Sequence, residues 1–226
     1  IIDATCPKVA HVQAIIRKRA GAGFTVLIAG DREHPEVDGL LGFADKAGVV
    51  IGCAEEVDGL PALDKVCVVA QTTQSLEEYA AIVGRVRDRF PEAEIFDTIC
   101  DSTEKRQTEI KALADGTDAV FIVGGRNSAN TRRLAELAKL RGKPAFHIET
   151  ADELKEVDVA AYRRIGVSAG ASTPNWIIGR VVDHLTGSLG KREEILRHLF
   201  KIWVFAVRTD IYSAAGAGLL AFAATL

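Results

Sequence analysis

The chain has 226 residues, 48% hydrophobic and 26% charged, a make-up that excludes a disordered chain and fits one large domain or two small ones. A formal net charge of −3 leaves no basic footprint for nucleic acid. Four cysteines without a short-spaced pair argue against a zinc finger or a secreted disulfide framework, and reduced thiols in a cytoplasmic setting fit better. Methionine is absent, even from position 1, so the chain is expected to be cut from something longer, and an upstream signal peptide would be hidden.

In chain order, Pro7–Ala20 reads as a helix, with Pro early and Val9, Val12, Ile15 and Ile16 on one face; Gly21 and Gly23 stop it. Phe24–Ala29 reads as a strand buried on both faces. Pro35–Leu41 suits a short helix, Val49–Ile51 and Val66–Ala70 suit strands, and Ser75–Phe90 is a helix with Ser75 and Glu78 in capping-box spacing. The order then repeats. Glu94–Phe96 is a strand, Ser102–Ala114 a helix, Ala119–Val123 a strand and Ser128–Arg141 a helix. Pro144–His147 and Ile165–Ser168 are strands, and Pro174–Leu185 is a helix. Strands alternating with helices imply parallel βαβ units.

The repeat is visible residue by residue. Asp3-Ala4-Thr5-Cys6 recurs 94 positions later as Asp97-Thr98-Ile99-Cys100. Gly30, His34 and Glu36 correspond to Gly124, Ser128 and Asn130. Ala70-Gln71-Thr72-Thr73 corresponds to Ala169-Gly170-Ala171-Ser172 after five extra residues. The expected units are 1–97 and 98–190. The tail, 191–226, is basic as far as Lys201, where an amphipathic helix is expected, and apolar over 211–226. That apolar run is short of the ~20 residues that span a bilayer, so a truncated membrane segment and a buried C-terminal helix both stay open.

Several residues are candidates for chemistry. Cys53 and Cys67 read as inert small hydrophobes. Cys6 and Cys100 sit at segment boundaries in repeated frames, where a ligand or reactive thiol and a structural cysteine are both open. His34 and Glu36 flank Pro35 at a strand tip and could share a proton relay, although a solvated polar loop is the simpler reading. Gly124-Gly125-Arg126-Asn127-Ser128-Ala129-Asn130 is a strand-to-helix turn suited either to an anion or to simple N-capping. Thr72, Thr73 and Ser172 occupy similar tips.

Taken together, Asp3–Pro7, His34–Val37, Gln71–Thr73, Ile99-Cys100, Asn127–Asn130 and Gly170–Pro174 resemble, in order and spacing over residues 1 to about 187, the 4-hydroxy-3-methylbut-2-enyl diphosphate reductase family. The resemblance implies an α/β fold of repeated three-layer-like βαβ units with small parallel sheets, here two of the three units of a pseudo-threefold trefoil arrangement. It implies a [4Fe-4S] cluster with Cys6 and Cys100 as two of three thiolate ligands. It implies His34 near the diphosphate and the proton relay, Glu36 as the proton-delivering acid, and Thr72 and Thr73 near the reacting hydroxyl. Ser128, Asn130 and Ser172 are implied as diphosphate-binding groups. The implied reaction is reductive dehydroxylation of the allylic diphosphate to isopentenyl and dimethylallyl diphosphate, with ferredoxin or flavodoxin as electron donor. The third cysteine and a first α/β unit are not in this chain, so little activity is expected of it alone. Ala129 stands where many members have a second serine. Two other readings are a non-catalytic diphosphate-binding module, suggested by the missing thiol, and a thiol-redox or flavodoxin-like protein, disfavoured by the lack of a C-x-x-C pair and of a flavin phosphate loop.

Overall fold

The computed structural model describes residues 5–190 and 201–204. Asp3 and the tail segments 191–200 and 205–226, including the apolar run 211–226, lie outside the described residues. The chain divides into two compact units, Ile1–Glu104 and Lys105–Leu226.

The first unit runs α1 (Pro7–Gly21), β1 (Thr25–Ala29), α2 (Pro35–Ala44), β2 (Gly48–Ile51), β3 (Val66–Ala70), α3 (Leu76–Arg89) and β4 (Glu94–Ile95), and reaches the start of α4 (Asp101–Gly116). Its sheet is parallel with strand order β2-β1-β3-β4. Both faces are covered, which is why β1 and β3 read as continuous apolar runs. Val26, Ile28, Cys67 and Val69 pack with Val12, Ile16, Val37 and Leu40 of α1 and α2. Leu27, Ala29, Val68 and Ala70 pack with Tyr79, Ile82, Val83 and Val86 of α3. Each Val, Leu or Ile side chain among them contributes about 1.5–3 kcal/mol on burial. The register pairs Ala29 with Ala70 and with Ile51, so the loops after all three strands leave from one edge. That carboxyl edge is where open parallel sheets place their sites.

The second unit repeats the plan with the rest of α4, then β5 (Ala119–Val123), α5 (Ala129–Leu140), β6 (Ala145–Ile148), β7 (Arg164–Ala169), α6 (Asn175–Gly190) and β8 (Lys201–Val204), in strand order β6-β5-β7-β8. Ile110, Leu113, Leu134 and Leu137 cover one face and Val181 and Leu185 the other. The α/β class with small parallel sheets is as expected from the alternation of elements.

Three features differ from expectation. The helix α2 runs on to Ala44, because Leu40 and Ala44 continue its buried face. Short 3-10 turns at Ala54–Gly59 and Ala151–Glu156 follow the second strand of each unit, in segments whose polarity gave no periodic signal. The helix expected as far as Lys201 does not include that residue. Lys201–Val204 is a strand pairing in parallel with β7, the place β4 holds in the first sheet. The run Ile202-Trp203-Val204 is strand-favouring; the rest of the expected helix, 191–200, lies outside the described residues. Among the described residues no helix is long and apolar enough to cross a membrane.

Two glycines close the second unit's loop edge. A methyl on Gly124, whose φ is +153°, would lie 2.8 Å from Thr173 Oγ1 and 2.9 Å from Thr131 Oγ1; one on Gly170 would overlap Thr131 Oγ1. Thr131 is buried and cannot swing away. Gly170→Ala is expected to cost about 1–3 kcal/mol by overpacking. Adding Thr131→Ala should recover most of that loss, as read from thermal midpoints of the single and double variants.

Candidate functional site

In the first unit the residues singled out from sequence converge on the carboxyl edge of the sheet. His34 is the N-cap of α2, and its Nδ1 accepts the Glu36 backbone N–H at 3.1 Å. In the neutral ring this leaves the proton on Nε2, as a free donor. The ring therefore meets Glu36 through its backbone; the carboxylate turns to Thr72. Thr72 N–H donates to Glu36 Oε1 at 2.7 Å and Thr72 Oγ1 donates to Oε2 at 2.9 Å. Thr72 in turn accepts the Cys100 N–H on its carbonyl at 2.9 Å. Cys100 Sγ lies 3.2 Å from Ser102 Oγ. His34, Glu36, Thr72 and Cys100 thus form one hydrogen-bonded series.

Thr73 stands one step outside it, its hydroxyl accepting from Gln71 Nε2 at 2.9 Å. Gln71, quoted only as part of a motif at the sequence level, is fully buried and braces two loops, since its Oε1 also accepts the Asp31 N–H at 2.9 Å. A buried glutamine directly after a buried strand was the signal that could have singled it out.

Cys6 and Cys100 occupy equivalent local positions. Cys6 is the N-cap of α1 and accepts the Ala10 N–H at 3.0 Å; Cys100 precedes α4 and accepts the Glu104 N–H at 3.0 Å. Each thiol therefore stands at the positive end of a helix. Lys8 donates to Asp101 at 3.0 Å, joining the first turns of α1 and α4. Hydrogen bonding to Asp101 raises the Lys8 pKa. The cysteines are free, Cys6 exposed and Cys100 half-buried. Such thiols suit iron–sulfur ligation. They are a partial donor set: among the described residues no three His, Cys, Asp or Glu side chains are grouped to hold a metal ion. Cys67 differs, since burial pushes its thiol up to about 12. Iodoacetamide at pH 8 should modify Cys6 quickly and leave Cys67 untouched until denaturant is added, as followed by peptide mass spectrometry.

The second unit carries the polar groups. Ser128 caps α5 by accepting the Thr131 N–H at 3.3 Å. Asn130, the second residue of α5, is 6% exposed, and neither its Oδ1 nor its Nδ2 has a hydrogen-bond partner among the described residues. A buried amide with both ends unpaired costs stability and calls for a ligand or water. Ser172 lies exposed in the loop after β7. That loop abuts the head of α5 through the close approach of Gly170 to Thr131. Glu36 and Asn130 are repeat equivalents with different fates. The acid accepts from Thr72 on both oxygens, whereas the amide, in a unit that has Ala171 in place of Thr72, has no partner among the described residues.

Residues 1–186 match the family model described as LytB protein. A reviewed relative from Opitutus terrae, named 4-hydroxy-3-methylbut-2-enyl diphosphate reductase, is 45% identical over 184 residues, 81% of this chain and 64% of the relative. The Geobacter sulfurreducens protein of the same name is 44% identical over 185 residues, 82% of this chain and 66% of the relative. The chain therefore spans somewhat less than two thirds of the length of these relatives. Among solved structures, the E-1-hydroxy-2-methyl-but-2-enyl-4-diphosphate reductase of Plasmodium falciparum aligns with a TM-score of 0.81 at 26% identity, covering 92% of this chain and 65% of that one. A second, described as (E)-4-hydroxy-3-methyl-but-2-enyl diphosphate reductase, the terminal enzyme of the non-mevalonate pathway, aligns with a TM-score of 0.52 at 39% identity. With a match over most of its length and relatives above 40% identity, this chain belongs to the LytB family.

Proposed function

We propose that this chain is the greater part of a 4-hydroxy-3-methylbut-2-enyl diphosphate reductase, two of three α/β units of the whole enzyme. In the overall reaction the allylic C–O bond breaks, a C–H bond forms, and two electrons and two protons are taken up with release of water. The family names and the matched residues support the activity. The observation that carries the site is the series Glu36–Thr72–Cys100, which ties a carboxyl to the backbone of a thiol-bearing turn.

Glu36 protonates the departing oxygen, so that water leaves in place of hydroxide. Thr72 holds the Glu36 carboxylate in one orientation and, through its hydroxyl, links it to the reacting end of the substrate. His34 offers Nε2–H to the diphosphate side. Ser128, Asn130 and Ser172, with the N-terminus of α5, bind the diphosphate, which needs no cluster of lysines. Cys6 and Cys100 are two thiolate ligands of a [4Fe-4S] cluster whose third cysteine comes from a preceding unit. When bound, such a cluster would supply the electrons and Lewis-acid chemistry at the reacting hydroxyl. A ferredoxin or flavodoxin is the electron donor.

The whole protein, reconstituted anaerobically with iron and sulfide, should turn brown and convert the allylic diphosphate when supplied with reductant. A colourless, iron-free product would overturn the reductase reading. The buried Asn130 amide, unpaired among the described residues, also fits one rival, a diphosphate-binding module without redox chemistry. Metal-free protein that binds the substrate tightly, together with a whole protein that takes up no iron, would select that rival.

A further inference from the structure

An arginine–glutamate pair recurs at the same place in both units. In the first, Arg32 lies in the loop after β1, two residues before the cap His34. Its Nη1 meets Glu56 Oε1 at 2.7 Å and its Nη2 meets Oε2 at 2.6 Å, with a further bond to the Val50 carbonyl at 3.3 Å. Glu56 Oε2 also accepts the Gly52 N–H at 2.8 Å. In the second, Arg126 lies in the loop after β5, two residues before the cap Ser128, and pairs with Glu153 through Nη2 and Oε2. Glu153 Oε1 accepts the N–H groups of Glu149 at 2.8 Å and Thr150 at 3.0 Å. Both glutamates stand five residues after the end of the neighbouring strand, and Gly52 and Glu149 hold matching places in the two units.

The pairs are partly exposed, with Arg32 at 57% and Arg126 at 60%, so they add little to global stability. Their geometry serves another purpose. Glu56 is anchored on one backbone N–H of its own turn and Glu153 on two, which makes each a fixed post. A guanidinium fork on that post sets the direction of the loop that bears it. The Arg32 hydrogen bond, then the Gly52 N–H, holds the Glu56 carboxyl below its usual range, so the pair stays ionised at neutral pH.

We infer that Arg32–Glu56 and Arg126–Glu153 are positioning pairs that hold each unit's site-bearing loop against its second strand, aiming His34 and Glu36 in one and Ser128 and Asn130 in the other. This rests on the roles proposed above for those four residues. The test is amide hydrogen exchange on the full chain with Glu56→Gln and Glu153→Gln, alongside calorimetry with inorganic diphosphate. Glu56→Gln should speed exchange at the Glu36 and Thr72 amides by about fivefold and leave the Thr131 amide unchanged; Glu153→Gln should do the reverse. Glu153→Gln should also weaken diphosphate binding by about fivefold, although Arg126 keeps its charge. Arg126→Gln, which leaves Glu153 on its two backbone N–H groups, should speed exchange at the Thr131 amide as Glu153→Gln does. Uniform acceleration across all amides, or a Glu153→Gln variant with unchanged exchange and unchanged or tighter binding, would overturn the inference. Failure of the unaltered chain to bind diphosphate would instead overturn the diphosphate reading, and the exchange pattern would still decide for or against the pairs.

Discussion

Replacing Glu36 by Gln is expected to lower the kcat of the proposed reductase by about 10²–10⁴-fold, the range for loss of a positioned general acid. The fold should survive. An amide oxygen can still accept the Thr72 N–H, and its NH2 can face a Thr72 hydroxyl that has turned its own proton away. Glu36→Ala is a harsher change, because it strands a buried hydroxyl and N–H at Thr72, at about 1–3 kcal/mol. The informative comparison is therefore Gln against Ala. Similar losses of turnover with a stability loss only in Ala would separate proton delivery from loop support. Turnover of Glu36→Gln close to that of the unaltered enzyme would remove Glu36 from the acid role. Steady-state kinetics on the whole protein with a reduced dye as donor, paired with thermal midpoints, makes the measurement.

The second large effect concerns Asn130, where stability and binding should move in opposite directions. Its amide is buried with neither polar end paired among the described residues, a cost of about 1–3 kcal/mol. Asn130→Leu keeps the number and branching of the side-chain heavy atoms and removes the unpaired groups. It should raise the thermal midpoint by about 4 °C or more while weakening inorganic diphosphate binding about 10- to 100-fold, the loss of hydrogen bonds to a charged ligand. A structural asparagine would behave oppositely, losing stability with no change in binding. The pair of readouts, a melting curve and a calorimetric titration, distinguishes the two. This is the trade between stability and function expected where a site is built from groups that wait for a ligand.

Much of the architecture was legible in the amino-acid order, because its determinants are local. Val66–Ala70 and Ala119–Val123 were recognisable as strands from continuous apolar runs, and Ser75 as a cap from its capping-box spacing; between Asn127 and Ser128 as the cap of α5 only the structure decided, for Ser128. The candidate site residues were legible as a set, through the repeat and the ordered motifs. Their partners were not. Nothing in the order of residues says that the Glu36 carboxylate turns to Thr72 and not to His34, or that Thr72 joins the series while Thr73 is held by Gln71. The strand Lys201–Val204 was also missed, since a four-residue edge strand declares itself only by pairing.

By itself, then, the sequence determined the duplicated α/β plan, the two cysteines in matching frames and the polar residues at matching strand tips, all consequences of short-range pattern. Tertiary structure decided what each tip does. The parallel register of Ala29 with Ala70 brings Glu36 to Thr72 across 36 positions of chain, and both oxygens of the acid are satisfied there. In the second unit the equivalent register of Val123 with Ala169 sets Ala171 where the first unit has Thr72, and the Asn130 amide finds no hydrogen-bond partner among the described residues. The same frame thus yields an acid held by its neighbour in one copy and an open amide in the other. The physical reason is that hydrogen-bond satisfaction depends on what the sheet register places opposite a residue, which no local pattern encodes.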